Sequence, residues 1–123
     1  MPDARPGTGH LCGQLYATLR ALRAVGAARW KLEALRPYDK VRTSPSKFLP
    51  DLLDEAGRLL LKAHGRGNKY GAAAEELFRS IPDLLPPRGR LPGSLDGRQR
   101  IAFDEGYAQQ MAKCTDAHGE LLR

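Results

Sequence analysis

Cysteine is scarce: Cys12 and Cys114 stand about a hundred residues apart, with no C-x-x-C spacing. That excludes a disulfide framework and suits a reducing compartment. No apolar run approaches the ~18 residues of a membrane span, and the first ten residues, M-P-D-A-R-P-G-T-G-H, lack a signal-peptide core. The expectation is a soluble, cytoplasmic chain with no membrane partner. The three histidines, His10, His64 and His118, do not pair at metal-ligand spacing, so no metal or other cofactor is expected. His64 and His118 each precede a glycine and read as helix-end residues. No stretch alternates apolar and polar side chains for long, which leaves no sign of strands.

Catalytic patterns are also missing. Gly7-Thr8-Gly9 has no preceding strand and no following G-K-[ST], so it does not make a phosphate loop. Ser94 lacks the glycine spacing of a nucleophile elbow. The carboxylate pairs Asp54-Glu55, Glu75-Glu76 and Asp104-Glu105 are neighbours in sequence, so on a helix each pair diverges by about a hundred degrees. They read as solvated faces. The expectation is a protein that is not an enzyme.

What the chain has is helix. Its 123 residues, 41% apolar and 28% charged, suit one domain that buries roughly two-thirds of its unfolded surface. The fold class expected is all-α, a single-domain bundle of four to five helices spanning residues 10–119 behind a loose tail, residues 1–9. The first helix should start near His10, with Leu11, Leu15, Leu19, Leu22 and Gly26 on one face and Arg20 and Arg23 pointing away. Gly26 should bend or break it, and a short helix over 28–35 follows with Trp30 as anchor. Residues 36–44 read as a basic connector. Thr43 or Ser44 caps the next helix, Pro45 sits harmlessly in its first turn, and Gly65 stops it after His64. Asn68 caps a helix over 69–80. Residues 82–95, with four prolines and two glycines in fourteen positions, should hold no regular structure; residues 81–95 form a proline-rich loop within the domain.

The last helix, residues 96–114, opens on Asp96 and Gln99, a capping-box pattern. Phe103, Tyr107, Gln110 and Cys114 share one of its faces. Gly106 at the edge of that face costs roughly 1 kcal/mol against alanine, which points to close approach of another helix. The triplet Ala117-His118-Gly119 should close it.

Charge is distributed unevenly. Net charge is +6; residues 1–50 hold nine Lys/Arg against three Asp/Glu, while residues 51–123 hold eleven of each. Eight of the basic residues fall between positions 20 and 47, facing only Glu33 and Asp39. A polyanion, nucleic acid ahead of membrane, is the natural partner. Arg20, Arg23, Lys31, Arg36, Lys40, Arg42 and Lys47 are the candidate phosphate contacts, with Trp30 and Tyr38 interleaved for stacking on unpaired bases. The bland alternative is that Trp30 is core and the cations merely solubilise the chain.

Three motifs bear a resemblance in order along residues 11–112. F-x-x-G-Y-x-x-Q, at Phe103, Gly106, Tyr107 and Gln110, resembles the C-terminal helical region of the large Cascade subunit of type I-C CRISPR systems. G-x-L-x-A-x-L, at Gly13, Leu15, Ala17 and Leu19, resembles the start of that region, and T-S-P-S-K-F-L-P-D-L-L over 43–53 is similar to its proline-marked helix entry. Ala108 and Gln109 stand where the family carries tyrosine and histidine, and 26–36 does not align. In that family the region is also made as a separate small subunit. The resemblance implies a non-catalytic small subunit of a CRISPR-Cas surveillance complex, with the guide-RNA-bearing backbone and large subunits as partners. Further copies of itself, the target DNA and the displaced strand are also implied partners, the protein supporting both strands without reading sequence. Rival readings are a basic helical adaptor for an acidic protein and a helix-turn-helix DNA-binding regulator.

Overall fold

The computed structural model describes residues 7–27, 38–86 and 90–122. Those residues form five α-helices and no strand: α1 (Thr8–Gly26), α2 (Tyr38–Thr43), α3 (Pro45–Arg66), α4 (Asn68–Leu84) and α5 (Gly97–His118), closed by a 3-10 turn (Gly119–Leu122). The chain is a single all-α domain, as its periodicity demands. Of the residues expected to matter, Trp30, Lys31 and Arg36, with the expected helix over 28–35, lie outside the described residues.

α1 is the axis of the bundle. Its sequence is apolar nearly all round, and a helix of that kind must be covered on every side. α5, α4 and α3 supply the cover, α5 most extensively. Leu15, Leu22, Val25 and Tyr16 are all but fully buried. Each aliphatic side chain taken out of water at this depth contributes about 1.5–3 kcal/mol. Reading α1 as a helix with one apolar face therefore understated it. Arg20 and Arg23 do not point into open water; they emerge between the covering helices, each against a partner.

α1 and α5 run in parallel. The pairings advance together along both: Gly9 meets the backbone of Gln99, Gly13 that of Phe103, and Thr18 meets Gln110. Glycine makes this possible. A Cβ added at Gly106 would strike the carbonyl of His10, and one at Gly13 would strike the carbonyl of Phe103. At these points the two helices meet backbone to backbone, with no side chain between them. Close approach of a neighbouring helix is the reason that Gly106 required.

The helix ends show both agreement and correction. Asp96 caps α5 as expected, its carboxylate accepting from the Gln99 N–H at 2.8 Å. Ser44 occupies the cap position of α3 with Pro45 at the first helical residue, but its side chain makes no capping bond. α1 begins at Thr8, inside the segment read as tail, because Gly9 packs on α5. α2 lies within the segment read as connector, pinned by the fully buried Val41.

α3 runs through Gly65 to Arg66 and stops at Gly67, whose φ of 139° no other residue adopts easily. The two added residues bring the Arg66 guanidinium to the carbonyls of Val25 and Ala27, at 2.7 and 3.0 Å. A cation there satisfies orphan carbonyls and opposes the negative end of the α1 dipole. The same guanidinium lies 4.0 Å from the centre of the Tyr70 ring. Gly67, not Asn68, holds the cap position of α4. α4 continues through Pro82, where the sequence suggested loop. The proline forfeits the bond its N–H would have given the Phe78 carbonyl, a loss that burial of Ile81 and Leu84 on either side of it offsets. At the far end Gly119 stays helical (φ −50°, ψ −39°) and leads into the 3-10 turn, so it is no left-handed stop.

Candidate nucleic-acid interface

The aromatic cluster beside α1 absorbs three residues first read as surface groups. Tyr16, Tyr38, Phe103 and Tyr107 stack with ring centres 4.9–6.2 Å apart, tilted or edge-on, as aromatic quadrupoles prefer. Arg20 donates to the Tyr107 hydroxyl, its guanidinium 5.6 Å from that ring's centre and 5.9 Å from that of Tyr16. Arg42 grips Asp104 with two bonds, Nε to Oδ1 and Nη2 to Oδ2, each 2.9 Å. The Tyr38 hydroxyl donates to the same Oδ1 at 2.6 Å.

The electrostatics follow from these contacts. Partial burial would raise the Asp104 carboxyl, but the Tyr38 hydrogen bond and the Arg42 guanidinium outweigh it and hold the group below its ordinary value. Burial, then the bond to the Asp104 carboxylate, pushes the Tyr38 phenol well above its usual range. Burial also drives the Cys12 thiol up to about 12 and the Cys114 thiol to about 11, which leaves neither a nucleophile at neutral pH.

The seven candidate cations therefore separate. Arg20 is held by the aromatic cluster, Arg23 pairs with Glu55 on α3, and Arg42 pairs with Asp104 on α5. Lys31 and Arg36 lie outside the described residues. Lys40 and Lys47 are exposed, the latter's ammonium 5.8 Å from the centre of the Phe48 ring. Tyr38 is committed to Asp104 and packed among rings, so it is not a free stacking platform.

The backbone brings other cations to Lys47. The Ser46 N–H donates to the Pro92 carbonyl at 3.0 Å, and the Leu95 N–H to the Thr43 carbonyl at 3.2 Å. These two bonds lay the 90–96 segment across the start of α3. α5 begins directly after that segment, and Gly9 against Gln99 sets the start of α1 beside it. Three helix N-termini, of α1, α3 and α5, thus share one end of the bundle. Around them stand the exposed Lys40, Lys47, Arg90 and Arg98, with Arg100 half-exposed. The acids nearest this end are Asp39, Asp51 one turn after Lys47, and Asp96, whose carboxylate is engaged as the α5 cap; Asp54, Glu55, Asp104, Glu105 and Asp116 lie further along α3 and α5.

Arg90, Arg98 and Arg100 escaped the sequence reading because they lie in the half of the chain with no net charge. A local signal was present. The first turns of α1, α3 and α5 contain no acid, and those of α3 and α5 carry Lys47 and Arg98. Cations at the positive end of a helix dipole are unfavourable, by about 0.3–1 kcal/mol each. Such placement presents an electropositive surface to an anion.

Among the described residues no three His, Cys, Asp or Glu side chains gather as a metal site, and no helix is long and apolar enough to cross a membrane. Comparison with protein-family models, with curated proteins and with solved structures yields no match.

Proposed function

We propose that this chain is a non-catalytic helical subunit that holds nucleic-acid backbone at the end of the bundle where α1, α3 and α5 begin. The observation that carries this reading is the concentration of Lys40, Lys47, Arg90 and Arg98 around three helix N-termini. Cations and helix dipoles of the same sign add there, and a phosphate chain relieves their mutual repulsion. Such contacts read charge and spacing, not base sequence.

The assembly in which it works is, in this proposal, a guide-RNA-bearing effector of the type I CRISPR kind. The motifs at Gly13–Leu19, 43–53 and Phe103–Gln110 support that part by resemblance. Guide pairing would supply specificity, and this subunit would steady the target and displaced strands. The cytoplasm and further copies of the chain belong to the same proposal.

The test is binding of labelled single-stranded and duplex DNA by fluorescence anisotropy across a salt series. Each contacting cation adds about 0.7 to the slope of log K against log salt on single strands, and about 0.9 on duplex. Neutralising Lys40, Lys47, Arg90 and Arg98 together with glutamine should flatten the slope accordingly and leave helicity intact. A slope near zero for the native chain, or one unchanged in that variant, overturns the reading.

A further inference from the structure

α4 and α5 both pack on α1 and scarcely touch each other. Between them lies an open cleft in two chambers, of about 320 and 700 Å³, that share Glu76, Ala117 and His118. Gln14 of α1 contributes to the floor, with Leu77, Leu84 and Cys114 from the flanking helices. Along α4 the cleft runs from Lys69 to Leu84. Fifteen residue steps at the helical rise make it about 22 Å long, roughly four turns. Small side chains, Ala72, Ala73 and Ala117, leave room for another backbone to come close.

The charge of this cleft reverses that of the chain. Glu76, Asp83, Asp116 and Glu120 line it, against Lys69 and Lys113, in a protein of net charge +6. A link between the two walls is His118 Nε2, 3.6 Å from Glu76 Oε2. The Glu76 side chain is 70% exposed and that of His118 only 12%. The carboxylate is thus positioned to take an incoming cation while the imidazole stays beneath it.

We propose that the α4–α5 cleft is a docking groove for a basic amphipathic helix of a partner protein, separate from the cationic end assigned to nucleic acid. Its length fits four turns, its apolar floor fits a stripe at i, i+3, i+4 and i+7, and its acids fit flanking lysines or arginines. A helix laid there completes the cover of α1.

The probe is a pair of labelled sixteen-residue peptides with one leucine–alanine stripe, flanked by lysine in one and by glutamate in the other. Anisotropy with the full chain should show saturable 1:1 binding of the lysine peptide, at least about tenfold tighter than the glutamate peptide. Asp83→Lys with Asp116→Lys should weaken the lysine peptide by about tenfold and favour the glutamate peptide. Both sites are exposed, and circular dichroism checks that the fold persists. Ser80→Trp, filling the cleft, should abolish binding of either peptide. Equal binding of both peptides, no saturable binding, or affinity unmoved by the charge reversals overturns the proposal. So does a dimer by light scattering that those reversals dissociate, since a second copy would then be the occupant.

Discussion

Gly106 of α5 lies against the carbonyl of His10 on α1, too near for any Cβ, and the carbonyl carbon would stand 3.0 Å from one. This contact sets the separation of the two helices that define the bundle. It accounts for a glycine within a helix, where alanine would otherwise be better by roughly 1 kcal/mol. Gly106→Ala must move backbone, and should destabilise the protein by about 1–3 kcal/mol in urea unfolding. Gly57 of α3 provides the contrast. It is exposed, with nothing within 4 Å of an added Cβ, so Gly57→Ala should stabilise by about 0.4–1 kcal/mol. Equal effects at the two sites would refute the packing account.

A buried polar relay crosses the same seam. Gln110 Nε2 donates to Thr18 Oγ1 at 2.9 Å, and that hydroxyl donates to the Gln14 carbonyl at 3.0 Å. Thr18→Val leaves the Gln110 amide without this partner in a buried setting, which should cost about 1–3 kcal/mol. Joining it to Gln110→Leu removes both polar groups and should recover much of that loss. The measurement is a double-mutant cycle, with a coupling of about 0.5–3 kcal/mol expected. Strict additivity would mean that the two side chains act independently.

Asp104 should give the protein an acid-sensitive corner. Its folded pKa lies below the unfolded value, so the folded state prefers the carboxylate. The stability this contributes is present above the unfolded carboxylate pKa of about 3.9, and is lost as pH falls through the lower folded value. Asp104→Asn should therefore lower stability near neutrality and flatten its fall on acidification. Thermal unfolding of both proteins between neutral and strongly acidic pH reads this directly. Parallel curves would show that the Tyr38–Asp104–Arg42 contact carries no linkage.

Much of the architecture was legible because helix signals are local. The proline at the start of α3, the Asp96–Gln99 cap of α5 and the period of Phe103, Gln110 and Cys114 each depend on residues within a turn or two. The misplaced ends are those decided at a distance. α3 passes Gly65 because Arg66 reaches carbonyls of α1, and α4 passes Pro82 because Ile81 and Leu84 are buried. The candidate interface was less legible for a related reason. A count of charges along the chain treats Arg42 and Lys40 alike, although one grips Asp104, sixty-two positions away, and the other faces solvent.

Composition and periodicity by themselves determined that this chain would be a helical bundle with a basic surplus, and where nearly every helix would lie. They also marked Gly106 as a place of contact. Only the tertiary structure decided which helix meets that glycine, which arginines are held within the fold, and which cations remain outside. Periodicity follows from the backbone, which each residue carries with it. Partnership follows from distance in space, which residues far apart in the chain acquire only on folding.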